Sequence, residues 1–189
     1  MPIIQYINKN LGLKLKSETE LPFAIQKHHF SRNQLITRIG DIEDRVYFID
    51  KGLVQISIPS DNSYKVIDFF FHTQWFSCLT SFLNRSPSDV EARALLDSKV
   101  EAITYDELHK SYSNSILANQ FGRHVVEQLF LLRVKKEKDA LTKSAELRYR
   151  EMLSDNPEMI HSIPVGKLAK YLGIYPESLS RIRKAVTSK

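Results

Sequence analysis

Cysteine is almost missing from this 189-residue chain, where Cys78 stands alone. A single thiol excludes an internal disulfide and a metal cage built from several thiolates, and it fits a reducing compartment. Long apolar runs are missing too. No stretch approaches the roughly 20 residues that span a bilayer, so no membrane contact is expected. The opening Met1-Pro2-Ile3-Ile4-Gln5-Tyr6 has no basic segment followed by an apolar core, so no secretory signal is expected either. These features together point to the cytoplasm. Repeats and low-complexity segments are also lacking. There is no His-x-His spacing and no Ser-His-Asp order, so neither a metal-centred barrel enzyme nor a nucleophilic hydrolase is supported. No metal site and no enzymatic activity are expected.

What remains is an ordinary soluble mix, 42% hydrophobic and 26% charged, with enough chain for one large or two small domains. Residues 3–15 suit a short amphipathic helix. Short β-rich runs then follow at 35–39, 46–49, 53–58, 66–71, 90–95 and 100–104. Gly40-Asp41, Lys51-Gly52 and Pro59-Ser60-Asp61-Asn62 mark turns between them. Strands at this even spacing predict a small antiparallel barrel or jelly-roll sandwich. Thr104 is placed to cap a helix opening at Tyr105.

The longest helix is predicted from about 115 to 139, where proline is absent and Gly122 is the one glycine. It carries two apolar stripes: Leu117, Phe121, Val125, Leu129 and Leu132 form one, and Val126, Phe130 and Val134 the other. Two stripes need two partners, the chain's own β-domain and the same helix of a second subunit. The first stripe is taken as the dimer contact; a single wide face buried in a monomer is the alternative. Residues 139–143 read as a hinge. Ser144 caps a further helix with Leu147, Met152 and Leu153 inward, ended by Asp155-Asn156-Pro157.

The stretch 163–184 reads as a helix-turn-helix. Leu168, Ala169 and Leu172 share one face, and the small Ala169 lets two helices approach closely. Gly173 can take the left-handed conformation that ends a helix, and Ile174 plugs the turn. Pro176 suits the first position of the next helix, with Glu177 at its positive dipole end. Leu179 and Ile182 face inward, leaving Glu177, Ser178, Arg181 and Arg183 on other faces. Residues 160–189 hold Lys167, Lys170, Arg181, Arg183, Lys184 and Lys189 against Glu177 alone, which accounts for the whole net charge of +5. A neutral body with one basic end is an electrostatic footprint for phosphates, and a helix-turn-helix lays its second helix in the major groove of DNA. A merely solvated basic tail is the bland alternative.

With these landmarks placed, the chain resembles the Crp/Fnr family of bacterial transcription regulators. The resemblance rests on Gly40, the run from Val46 to Val54, the long helix, and the ordered Leu168-Ala169, Leu172-Gly173-Ile174 and Leu179-Ser180-Arg181. It is most similar to the short Bacteroidetes-type members, in which the pattern Pro176-Glu177-Ser178-Leu179-Ser180-Arg181 recurs. The resemblance implies an α+β protein in three parts. An N-terminal antiparallel β-roll (a jelly roll of cyclic nucleotide-binding type) would occupy 1–114, a dimerisation helix and hinge 115–139, and an all-α helix-turn-helix domain 140–189. It further implies a homodimeric regulator that binds double-stranded DNA and works with RNA polymerase.

Carried over by position, Glu177, Ser178 and Arg181 are implied to read bases, since a carboxylate accepts from cytosine N4 and an arginine donates to guanine O6 and N7. Lys167, Lys170, Tyr175, Ser180, Arg183 and Lys184 are implied to hold phosphates. Pro176 replaces a further base-reading arginine of the cyclic AMP receptor branch, so the target sequence is expected to differ. Tyr175 replaces the usual Ser or Thr cap. The sequence ends soon after the second helix, so no wing hairpin is expected.

The implied effector pocket takes in Phe76, Ser77, Cys78, Leu79, Arg85, Ser88 and Asp89. Here Ser77-Cys78 stands where cyclic AMP binders have Gly-Glu, and Ser88-Asp89 where they have Arg-Ser. Asp89 would bring a negative charge toward a cyclic phosphate. Cyclic AMP is therefore not expected as ligand; the effector, if any, is a different small molecule. The lone Cys78 excludes the four-thiolate cluster of the oxygen-sensing branch, and isolated histidines such as His28, His29, His72 and His124 give no haem signature. No cofactor is expected. A ligand-binding or protein-interaction module with a vestigial DNA-binding tail is the competing function.

Overall fold

Four successive apolar residues, Val46-Tyr47-Phe48-Ile49, cannot sit on a half-exposed strand, because alternate side chains point to opposite faces. In the computed structural model, which describes residues 2–61 and 63–187, both faces of that strand are covered. The elements in chain order are α1 (Pro2–Leu11), β1 (Gln26–Phe30), β2 (Leu35–Thr37), β3 (Arg45–Lys51), β4 (Leu53–Ser60), β5 (Ser63–Phe71), β6 (Trp75–Phe76), α2 (Leu79–Asn84), β7 (Glu91–Ala94), β8 (Ser98–Thr104), α3 (Tyr105–Asn114), α4 (Ile116–Thr142), α5 (Ala145–Asp155), α6 (Pro157–Ser162), α7 (Val165–Leu172) and α8 (Pro176–Thr187). Two four-stranded sheets, β1-β8-β3-β6 and β2-β7-β4-β5, make the expected jelly-roll-like β-roll in a mixed α+β chain.

Contacts divide the chain into two units, Met1–Ile56 with Phe69–Leu129, and Ser57–Asp68 with Phe130–Lys189. This differs from the three-part division expected from the sequence. The outer part of the β4–β5 hairpin groups with the C-terminal helices, where Lys136 holds Asp68 at 2.5 Å and Lys170 donates to Ser63 at 2.8 Å.

In the first unit, β8 pairs antiparallel with β1 and β3, setting Val46 opposite Ile103 and Phe48 opposite Glu101. Val46, Phe48, Trp75 and Ile103 pack against Ile3 and Ile7 of α1, Leu108 of α3, and Phe121 and Val125 of α4. Glu101 lies among them, with its carboxylate accepting from the Ile3 N–H at 2.8 Å. There it answers the positive end of α1. The other face of β3 looks into the roll, where Tyr47 stacks on Phe76 at 4.7 Å and Phe76 meets Phe70 of β5 at 6.0 Å. Strand β1 was not among the expected strands. Gln26-Lys27-His28-His29-Phe30 is an edge strand paired only with β8, and it has no need of apolar alternation.

Helix α4 carries the largest correction. Of the stripe assigned to a dimer, Phe121 and Val125 are buried in the chain's own core, Leu117 and Leu129 pack against that core, and Leu132 is half-buried. Phe121 lies 5.3 Å from Trp75 and 5.1 Å from Phe23, so this stripe belongs to the chain's own fold. The second stripe stays open, with Val126 47% and Phe130 65% exposed. The helix also runs unbroken through the expected hinge to Thr142, beyond which Lys143 bridges Asp139 at 2.9 Å and Glu151 at 2.7 Å.

In the second unit, the Ser144 hydroxyl accepts from the Leu147 N–H and starts α5 as expected. Leu147 itself is exposed and Tyr149 is the buried residue. Two positions on a helix differ by about 200°, so both cannot face one core. Pro157 opens α6, a helix where only a connection was expected. Leu168, Ala169, Leu172 and Leu179 are buried with Tyr149, Ile160 and Ile163, as the helix-turn-helix pattern requires. Gly173 takes φ 72° and its N–H closes onto Ala169 and Lys170, while Ile174 donates to Ala169 at 3.1 Å. Arg148 donates to the Leu172 carbonyl at 2.8 Å, satisfying an acceptor left over at the end of α7.

Gly52, between β3 and β4, has φ 122°, and a Cβ there would come within 2.6 Å of the Ser98 Cα. Both the backbone conformation and the clash oppose any side chain. Gly52→Ala should lower stability by roughly 2–4 kcal/mol in urea denaturation; a loss below about 0.5 kcal/mol would show that this crossing is not tightly packed.

Candidate nucleic-acid interface and effector region

Helix α8 sorts its side chains as an amphipathic helix does. Leu179 is buried, Ile182 and Ser178 are half-buried, and Glu177 and Arg181 are exposed. Glu177 and Arg181 are four residues apart and therefore share one face. Pro176 occupies the first helical turn, and the Leu179 N–H donates to the Tyr175 carbonyl at 3.2 Å. Tyr175 is largely exposed at that end. Lys184 is exposed.

Four of the side chains expected on phosphates are engaged elsewhere. Arg183 is turned back toward the body, with Nη2 within 3.5 Å of the Ile160 and Ile163 carbonyls and the guanidinium 6.0 Å from the Tyr149 ring. It links the end of α6 to α8, where the Ile160 carbonyl also accepts from the Ile163 N–H at 3.4 Å. Lys170 lies 3.6 Å above the Tyr64 ring, and Lys167 lies 5.7 Å from the same ring. Ser180 donates to the Pro176 carbonyl one turn back at 3.0 Å. Tyr64 and Ser63 carried no signal in the sequence, where they read as a strand edge beside a turn.

The effector region lies in the first unit. Phe76 is packed in the roll, Ser77 donates to the Arg45 carbonyl at 2.9 Å, and Ser88 donates to the Val90 carbonyl at 2.8 Å. Arg85 takes φ 53° at the end of α2, donates to the Glu43 carbonyl at 2.7 Å and lies 4.3 Å over the Tyr105 ring. Asp89 points out to solvent, and Leu79 lines a separate apolar cavity of about 410 Å³ with Phe82, Leu108, Phe121 and Val125. Of the seven expected residues, Phe76, Ser77, Cys78 and Ser88 are buried, Leu79 is half-buried, and Arg85 and Asp89 are exposed.

The group at the centre is one the sequence did not single out. Glu43 is 2% exposed. Its carboxylate accepts from the Thr37 hydroxyl, from the Tyr47 phenol at 3.3 Å, and from the Asp44 and Arg45 N–H groups at 3.1 Å each. Its own N–H donates to Ser81, whose hydroxyl donates to the Ser86 carbonyl. Burial pushes the Glu43 carboxyl above its usual range, against the pull of those hydrogen bonds. Burial, with the Glu43 charge next, lifts the Cys78 thiol to about 11 and keeps it protonated. In sequence, Glu43 sits in the acidic run Asp41-Ile42-Glu43-Asp44 after a glycine turn, a pattern that reads as surface. Among the described residues no group of His, Cys, Asp and Glu is placed to hold a metal, and no helix is long and apolar enough to cross a membrane.

Comparison with known proteins fits this arrangement. Residues 27–115 match the model of the cyclic nucleotide-binding domain family. The fold of the chain matches FixK2 from Bradyrhizobium japonicum, with TM-score 0.70, 17% identity, and 87% of this chain and 85% of that one covered. It also matches CLP, the c-di-GMP-responsive global regulator of Xanthomonas campestris, with TM-score 0.64, 17% identity and 87% of each chain covered. A third match is a candidate transcriptional regulator of the Crp/Fnr family from Eubacterium rectale, with TM-score 0.66, 15% identity, and 87% of this chain and 79% of that one covered. Residues 27–115 thus resemble a cyclic nucleotide-binding domain, and the chain has a Crp/Fnr-type fold. No curated protein sequence matches it.

The raised Glu43 pKa predicts a roll whose stability depends on pH. A carboxyl whose pKa is raised on folding adds stability below its unfolded pKa and loses it as pH rises through the folded value. The melting temperature of the wild type should therefore fall, relative to Glu43→Gln, as pH is raised from acid toward neutrality. Parallel pH profiles for the two proteins would show that Glu43 is not the titrating group.

Proposed function

We propose that this chain is a homodimeric, sequence-specific DNA-binding transcription regulator of the cytoplasm that does not respond to cyclic AMP. The observation that carries this is the α8 face on which Glu177 and Arg181 stand exposed together, on a helix fixed by buried Leu179 and the Gly173 turn. Glu177 offers an acceptor to cytosine and Arg181 a two-pronged donor to guanine. Ser178 adds a short polar contact beside them. Tyr175 and Lys184 flank the face and serve the phosphate backbone.

The exposed Val126 and Phe130 stripe of α4, with Leu131 beside it, supports self-association through that helix. A two-fold pair would present two α8 helices to major grooves about 34 Å apart, and RNA polymerase would read the bound dimer. The buried, hydrogen-bonded Glu43 carboxylate supports the exclusion of cyclic AMP. A second anion beside it would meet repulsion in a poorly solvated space, and Arg85 is committed to the Glu43 carbonyl.

Selection of bound sites from a random DNA pool should return a near-palindrome whose affinity falls steeply with salt. Arg181→Ala should weaken binding to that site by about 1–3 kcal/mol and relax preference at one base position per half-site. Unchanged preference in Arg181→Ala would remove Arg181 as the reader, and equal weak affinity for all sequences would favour the vestigial reading.

A further inference from the structure

The helix that docks a helix-turn-helix against DNA presents its cations to phosphate. In α7 those cations are Lys167 and Lys170, and both are gathered over one aromatic ring. Lys170 Nζ lies 3.6 Å from the centroid of Tyr64 and 2.8 Å from the Ser63 hydroxyl; Lys167 Nζ lies 5.7 Å from the same centroid. Tyr64 and Ser63 open β5, at the outer end of the β4–β5 hairpin. The hairpin segment and the helix-turn-helix belong to the same compact unit. Asp68, further along β5, is moored to Lys136 of α4 by a 2.5 Å ion pair whose carboxylate is mostly shielded from water. The strand that carries the ring is thus tied to α4 four residues further on.

A lysine ammonium seated on the face of a tyrosine, with a hydroxyl accepting one of its protons, has its flexible stem turned to the hairpin and must give up those contacts to reach fully toward a phosphate oxygen. The partners compete for one point charge. Tyrosine and serine are neutral, so they hold the two lysines without cancelling the positive field that draws the chain to DNA. A carboxylate in their place would cancel it.

We propose that the β4–β5 hairpin is a latch on the DNA-binding domain: Tyr64 and Ser63 hold Lys170 and Lys167 away from phosphate, and DNA binds with full affinity only when that contact opens. The proposal rests on the DNA-binding function stated above. An effector, or a rearrangement of α4 acting through Lys136 and Asp68, opens the latch by moving the hairpin; a minority of open molecules sets the affinity of the unliganded protein.

The test uses the full chain and the DNA site returned by selection. Tyr64→Ala removes the ring at an exposed position and should bind that site about two- to fivefold more tightly than wild type. Tyr64→Phe keeps the ring and should bind like wild type. In a Lys170→Gln background, Tyr64→Ala should lose most of its effect, because the main cation held by the ring is gone. Limiting amine-reactive reagent, read by peptide mass spectrometry without DNA, should label Lys170 faster in Tyr64→Ala than in wild type and Tyr64→Phe. Faster labelling with unchanged or weaker DNA binding would overturn the latch while leaving the DNA-binding function standing. Unchanged labelling would remove the contact itself. Absence of sequence-preferring binding in every variant would overturn both.

Discussion

Everything in the first unit is organised around the seat of Phe121 on the outer face of the roll. Its ring touches Trp75 and Phe23, and Phe48 and Tyr6 continue the same aromatic layer. Burying an aromatic side chain of this size is among the largest single contributions a small core receives. Because Phe121 and Val125 point inward, the face of α4 that carries Val126 must point outward. One packing choice thus decides which surface the fold uses and which stays exposed. That the helix carries two apolar stripes was legible in the sequence. Which stripe went where depended on the ring partners supplied by β6 and the 20–25 segment, and helical periodicity holds no information about those.

The interior of the roll obeys a different constraint. Its polar centre is provided by the chain itself, through Glu43, Thr37, Tyr47 and Ser81. A carboxylate in such a place persists because each of its oxygens is met by donors. The residues that a family pattern points to, Ser77, Arg85 and Ser88, are each turned to a backbone carbonyl and hold loops in place. They build the region without lining an open pocket. Sequence reading did not single out Glu43, which lies in another turn, more than thirty residues before Phe76.

Elsewhere the legible and illegible parts divide along physical lines. Caps and turns act locally, so Thr104, Ser144, Gly173 and Pro176 stand where the sequence placed them. The buried face of the helix-turn-helix, with Leu168, Ala169, Leu172 and Leu179, follows from spacing alone. Edge strand β1 and helix α6 lack strong apolar periodicity and owe their existence to partners. Long cationic side chains were the least legible. Arg183 and Lys170 have the composition of a DNA-facing surface, yet their stems reach far enough to find carbonyls and a ring elsewhere.

The seclusion of Cys78 has a practical corollary. Its sulfur is enclosed, and burial keeps it in the unreactive protonated form with a pKa of about 11. A maleimide dye added near neutral pH would pass it by in the native protein. One new thiol on the outer surface of α8, or on the hairpin, could then carry a fluorophore or spin probe without first deleting the natural one. The molecule thus lends itself to distance measurements along the chain.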